Sequence, residues 1–165
     1  MTTPNGYLSP GIAGSGAIAL GVAAAASALG EVRLLARSDS SAWRAEEGVE
    51  KLCRKVPDGD PSNIRVSTRP EDLAGCDLIV EAIVEEADAK VELHTALAAV
   101  APDADLATTT SSLGIAELGG RIGAPERFYG LHVFNPVTKM ELIELCLPEA
   151  LGPEAAERAR AFCEA

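Results

Sequence analysis

The 165-residue sequence predicts an α/β protein built on a doubly wound, mostly parallel sheet that ends in a β-hairpin-like extension. Two observations predict it. Short β-branched or aliphatic runs alternate with longer Ala-rich windows at helical spacing, and parallel neighbours require such crossover connections. The run Asp77-Leu78-Ile79-Val80-Glu81-Ala82-Ile83 is nearly continuous in apolar residues, as a central strand covered on both faces must be.

The elements follow in order. Residues 9–13 make a poor strand, because Ser9-Pro10-Gly11-Ile12-Ala13 sets Pro and Gly where β-formers belong, so an edge or irregular strand is expected there. An Ala-rich helix over 17–29 precedes a strand over 32–36, a helix over 41–55 and a surface loop over 57–63, where Pro, Asp, Gly, Ser and Asn supply turn chemistry throughout. Strands are expected over 64–67, 77–83, 105–109, 128–134 and 141–146, and helices over 87–100, 115–118 and 153–164. No internal repeat or long linker divides the chain, so residues 1–165 are expected to form one domain. A chain of this length hides roughly two-thirds of its unfolded surface on folding.

Composition excludes several partners. With 14 Lys and Arg against 25 Asp and Glu, the net charge of −11 repels nucleic acid and anionic lipid. The apolar stretch 17–30 is shorter than a membrane span, and residues 1–32 contain no Lys or Arg to start a signal peptide, so a cytoplasmic protein is expected. Cys53, Cys76, Cys146 and Cys163 lie at wide, irregular spacings and read as reduced thiols acting as small buried hydrophobes.

Gly14-Ser15-Gly16-Ala17-Ile18-Ala19 is a G-x-G-x-x-A turn opening the first helix. The first Gly permits a tight turn, the second lets backbone approach a pyrophosphate, and the small sixth residue lets the helix pack on the strand. The anion then meets a helix N-terminus, which defines a Rossmann-type dinucleotide site despite the acidic surface. About 20 residues on, a site for NAD places Asp or Glu on the ribose 2′-hydroxyl. Here Ala36 or Arg37 occupies that place, and an Arg beside a small residue leans toward the 2′-phosphate of NADP; the alternative is an Arg stacked on adenine with NAD retained.

Of two histidines, His94 lies in a helix, where a packing or surface role is expected. His132 ends a strand. If 128–134 and 140–146 pair as a hairpin closed by 135–139, the centre is residue 138, and His132 and Glu144, each six residues from it, lie opposite each other. A carboxylate opposite an imidazole fixes its tautomer and stabilises the imidazolium, as a general base requires; a cross-strand ion pair without chemistry is the other reading.

The motifs Gly14-Ser15-Gly16, Leu78-Ile79-Val80-Glu81-Ala82-Ile83-Val84-Glu85 with Lys90, Thr110-Ser111-Ser112-Leu113, and Gly130-Leu131-His132-Val133-Phe134-Asn135-Pro136 with Lys139-Met140-Glu141-Leu142-Ile143-Glu144 cover nearly the whole chain. Together they make it resemble the nucleotide-binding domain of the 3-hydroxyacyl-CoA dehydrogenases. That resemblance implies reversible oxidation of an (S)-3-hydroxyacyl-CoA, with hydride passing to a nicotinamide. By the same resemblance His132 takes the hydroxyl proton, Glu144 holds the imidazole, Ser111 bonds the substrate oxygen and the cofactor, and Asn135 sits at the nicotinamide. Glu85 and Lys90 match positions near the cofactor ribose and nicotinamide, while Arg54 and Lys55 remain as contacts for the phosphates of CoA. The plainer roles are Ser111 and Ser112 capping the next helix and Glu85 with Lys90 as a solvated pair.

The chain departs from the family pattern in carrying Thr109 for Asn and Val133 for Phe, and in an arm after the second strand that stops at Val56. The family's second, helical domain is not among these residues, so an acyl-CoA ligand and a separate helical domain or a homodimer are the expected partners. A dehydrogenase of a non-CoA 3-hydroxy acid, and a dinucleotide-binding module or truncated fragment without catalysis, are the alternatives.

Overall fold

Pro10 and Gly11, which argue against a strand, lie at the centre of the sheet. The computed structural model describes residues 6–165. Its elements are β1 (Pro10–Ala13), α1 (Ala17–Ala26), β2 (Val32–Leu35), α2 (Asp39–Cys53), β3 (Ile64–Ser67), β4 (Leu78–Glu81), α3 (Ala87–Val100), β5 (Asp105–Thr108), α4 (Ile115–Ile122), β6 (Phe128–Val133), β7 (Ile143–Cys146) and α5 (Pro153–Glu164). The strand order is β3-β2-β1-β4-β5-β6-β7. All neighbours are parallel except β7, which runs antiparallel to β6.

The expected edge or irregular first strand is therefore corrected, since β1 is paired on both sides. Pro10 is the first residue of the strand, where a missing N–H is tolerated. Gly11 is small because its face is crowded: a Cβ there would lie 3.0 Å from Cys76 Sγ and 3.2 Å from Leu73 Cδ2.

Other differences are local. Helix α2 starts at Asp39, before the expected residue 41, because Ser38 and Ser41 form a reciprocal capping box. Helix α1 stops at Ala26, and the Ser27 hydroxyl turns back to the Ala24 carbonyl. Helix α4 runs past the expected 118 through Gly119 and Gly120 and ends at Gly123, whose φ of 80° is the left-handed cap that glycine suits.

Five strands, β1, β2, β4, β5 and β6, contribute to two cores, and β3 and β7 to one. Leu78 and Val80 of β4 pack with α1, α2 and α5, and Ile79 packs with α3 and α4. Helix α5 is anchored by Arg158, whose Nε and Nη2 bond both Asp105 oxygens at 2.8 and 2.9 Å, while the Tyr7 hydroxyl donates to the same carboxylate. The four cysteines are free. Cys53 and Cys76 are buried as expected, but Cys146 is exposed and Cys163 half-buried, because β7 is the outer strand of the sheet and α5 covers its own residues only in part. Among the described residues no helix is long and apolar enough to cross a membrane.

Candidate functional site

The order of the strands reverses between β1 and β4, and the crevice at that point is where doubly wound sheets bind ligands. Gly14 leaves β1 with φ at +140°, its N–H donates to the Leu35 carbonyl at 2.9 Å, and the small Ala19 is fully buried beneath it. Gly16 is the N-cap of α1, and a Cβ there would meet nothing within 4 Å. The first turn of α1 has neither an acidic residue nor a side-chain cap, so its N–H groups face open space. In front of them lies a cavity of about 820 Å³, lined by Gly14, Ser15, Gly16, Ala17 and Ile18, the tips of β2 and β4, and Thr109 and Ser111. Size, glycine cradle and free helix N-terminus fit an adenine dinucleotide.

At the β2 end of this cavity Ala36 is buried and Arg37 exposed, and Ser41, Arg44 and Thr68 complete the wall. Ser41 and Arg44 escaped the sequence reading; the signal available was their i, i+3 spacing on a helix that starts just after Arg37.

The opposite end is built on two glutamates. Glu81, fully buried at the tip of β4, accepts from the Ile83 N–H at 2.8 Å, the Lys90 ammonium at 2.7 Å and the Thr108 hydroxyl at 2.7 Å. His94, also buried, faces it with Nε2 at 3.6 Å and packs edge-on against Phe128. Burial pushes the Glu81 carboxyl up, but His94, the Ile83 amide and Lys90 together hold it below its ordinary value. Lys90 is 1% exposed and also lies 3.4 Å from Glu85, so a solvated pair is the wrong description; it stands behind Glu85 and does not itself line the cavity. The sequence conceals this because Lys90 sits near the start of a helix, where lysines are normally solvated.

Glu85 lines the cavity and gathers the loop after β5. One of its oxygens accepts from the Thr110 hydroxyl at 2.5 Å, the Ser111 N–H at 2.9 Å, the Ser112 N–H at 3.2 Å and the Ser112 hydroxyl at 3.1 Å. Slight burial would raise its pKa, but the bonds from Thr110 and the Ser111 amide, with Lys90 behind, lower it to about 2. A folded-state value below the unfolded one stabilises above the unfolded carboxylate range and is lost as pH falls toward 2. The Ser111 and Ser112 amides are therefore expected to stay protected from hydrogen exchange at pH 4, where a free glutamate is largely protonated. Protection lost already at pH 4 would contradict the clamp, and Glu85→Ala, which leaves no acceptor, should remove it at any pH.

Beyond this loop stands the hairpin. Residues of β6 and β7 pair with His132 opposite Glu144, and Nδ1 lies 2.7 Å from a Glu144 oxygen. β5 and β6 run parallel with Thr108 beside Gly130, and Ser111 and His132 follow those two residues in the chain, so the Ser111 loop and the imidazole share one end of the sheet. The connection spans 134–142, longer than the expected 135–139, because Lys139 and Met140 N–H groups turn back onto the Pro136 carbonyl. Val137 of this connection sits on Gly21 of α1, where a Cβ would be 2.7 Å from its own, so the small face of α1 lets the hairpin settle beside the nucleotide helix. Asn135 is exposed at its start.

Lys55 is not brought to this site. Helix α2 begins at the cavity and, at 15 residues, carries the chain about 22 Å away before Lys55, at the opposite end of the strands.

This doubly wound sheet, with a glycine turn and cavity at its switch point, defines the dinucleotide-binding α/β class. Residues 10–165 match the family described as 3-hydroxyacyl-CoA dehydrogenase, NAD binding domain, and the chain belongs to that family. It is 32% identical to the 3-hydroxybutyryl-CoA dehydrogenase of Bradyrhizobium diazoefficiens, over 92% of this chain and 56% of the relative. It is 34% identical to the mitochondrial hydroxyacyl-coenzyme A dehydrogenase of Sus scrofa, over 81% and 48%. The solved (S)-3-hydroxybutyryl-CoA dehydrogenase PaaH1 from Ralstonia eutropha superposes with a TM-score of 0.87 at 27% identity, covering 96% of this chain and 60% of that one. The chain spans about half the length of these curated relatives.

Proposed function

We propose that the chain is the cofactor-binding and proton-transfer half of a dehydrogenase that interconverts (S)-3-hydroxyacyl-CoA and 3-oxoacyl-CoA with NAD or NADP. The observation that supports it is the 2.7 Å contact between His132 Nδ1 and Glu144, at the same end of the sheet as the glycine turn. A bound nicotinamide would supply the acceptor for the hydride of the carbinol carbon. His132 Nε2 takes the hydroxyl proton as that hydride leaves, and Glu144 fixes the tautomer and stabilises the resulting imidazolium. In the reverse direction the same nitrogen returns the proton. Ser111, placed by Glu85, holds the substrate oxygen, and Asn135 borders the nicotinamide. Glu81 and Lys90 set the Glu85 carboxylate from behind it.

Glu144 is 59% exposed and His132 28%, so water reaches the pair. A helical partner, continuous with this chain, separate from it or supplied by a second copy, is the proposed second wall that excludes water and positions the thioester. Arg37 beside Ala36 favours NADP over NAD.

The test is His132→Gln, measured by oxidation of reduced nicotinamide with acetoacetyl-CoA and, separately, by nicotinamide fluorescence on binding. Loss of a general base is expected to cut turnover by about 100-fold or more with nucleotide affinity kept. Undiminished turnover would overturn the assignment, and activity on free 3-hydroxy acids in place of CoA esters would overturn the substrate class.

A further inference from the structure

The far end of the cavity holds two guanidiniums without partners. Arg37, just after β2, and Arg44, on α2, both line it, and among the described residues neither enters an ion pair or a side-chain hydrogen bond. This happens in a chain of net charge −11, where a solvent-facing cation has many carboxylates to choose from. The cavity wall carries one acid, Glu85, at the other end, and its oxygens are already occupied by the Ser111 loop and Lys90. Asp39 is the nearest acid in sequence, but it does not line the cavity, and one of its oxygens takes the Thr68 hydroxyl at 3.4 Å.

Two like charges facing one space repel unless an anion lies between them. Ala36 offers nothing to accept a bond from a ribose 2′-hydroxyl, whereas two planar guanidiniums on the same wall suit a dianionic phosphate. We infer that Arg37 and Arg44 are the two arms of a clamp for the 2′-phosphate of an adenine dinucleotide, with Arg44 as a second specificity-determining residue. This rests on the dinucleotide reading above and deepens it.

Calorimetric titration with ADP and with 2′,5′-ADP tests it without a nicotinamide or a turnover step. The wild-type chain is expected to bind 2′,5′-ADP at least tenfold more tightly than ADP, with the advantage shrinking as salt rises. Arg44→Gln, on the exposed face of α2, should reduce that advantage about threefold and leave ADP binding within twofold; circular dichroism checks that the variant is folded. Adding Arg37→Gln should bring the two ligands to parity. Equal binding of ADP and 2′,5′-ADP by the wild type, or an unchanged ratio in Arg44→Gln, would overturn the clamp and leave the dinucleotide site standing. Failure of both ligands to bind would overturn the dinucleotide reading and the clamp with it.

Discussion

Lys90→Met is expected to cost about 3–5 kcal/mol of folding stability, a fall in Tm on the order of 10 °C for a chain of this size. Methionine keeps most of the apolar stem but removes the ammonium 2.7 Å from Glu81, a carboxylate with no solvent exposure. The Ile83 amide and Thr108 hydroxyl would remain as its close hydrogen-bond donors, with His94 Nε2 farther off at 3.6 Å, too few for a buried charge. A buried pair need not stabilise relative to a neutral pair of the same shape; the loss comes from stranding one partner. Adding Glu81→Gln should therefore restore most of the stability, since the glutamine oxygen can still accept from Ile83 or Thr108. Thermal unfolding of both single variants and the double variant forms a cycle, with strong non-additivity as its expected outcome. A Lys90→Met loss below about 1 kcal/mol would mean that water reaches Glu81 in solution. The same substitution also strips Glu85 of its cation, so the Ser111 loop should lose exchange protection alongside global stability.

The parts legible in the sequence were those governed by local pattern. Helix α3, with no glycine or proline inside it, and β3, set off by a Pro- and Asp-rich turn, have the bounds the periodicity indicates. The juxtaposition of His132 and Glu144 follows from counting outward from residue 138, because antiparallel pairing is a symmetry about the turn even where the turn is longer than expected.

What stayed hidden depends on neighbours distant in sequence. Propensity argues against β1, yet Leu73 and Cys76 crowd it so closely that Gly11 is the residue that fits. Nothing local separates Lys90 from a solvated helix lysine; only the parallel registers of β4 and β5 put Glu81 and Thr108 beside it. Lys55 looked available for phosphate because sequence distance from β2 says nothing of direction, and α2 carries it away from the cavity.

Two alanine substitutions in the glycine turn are expected to separate stability from binding. Gly14 has φ at +140°, a conformation L side chains rarely adopt, and an added Cβ would stand 2.3 Å from the Ala82 carbonyl oxygen. Relief requires moving the end of β1 away from β4, against the bond from the Ala82 N–H to the Ala13 carbonyl at 2.9 Å. Gly14→Ala should thus lose at least about 2 kcal/mol and bind nucleotide more than tenfold more weakly. Gly16 differs, with φ at −82° and no neighbour within 4 Å of an added Cβ. Its alanine variant should lose less than about 1 kcal/mol, the cost of a poorer N-cap, while the new methyl group occupies the space in which backbone meets pyrophosphate. Near-wild-type unfolding with nucleotide affinity down by tenfold or more is the expected result for Gly16→Ala. Undiminished affinity in that variant would show that no phosphate approaches the N-terminus of α1.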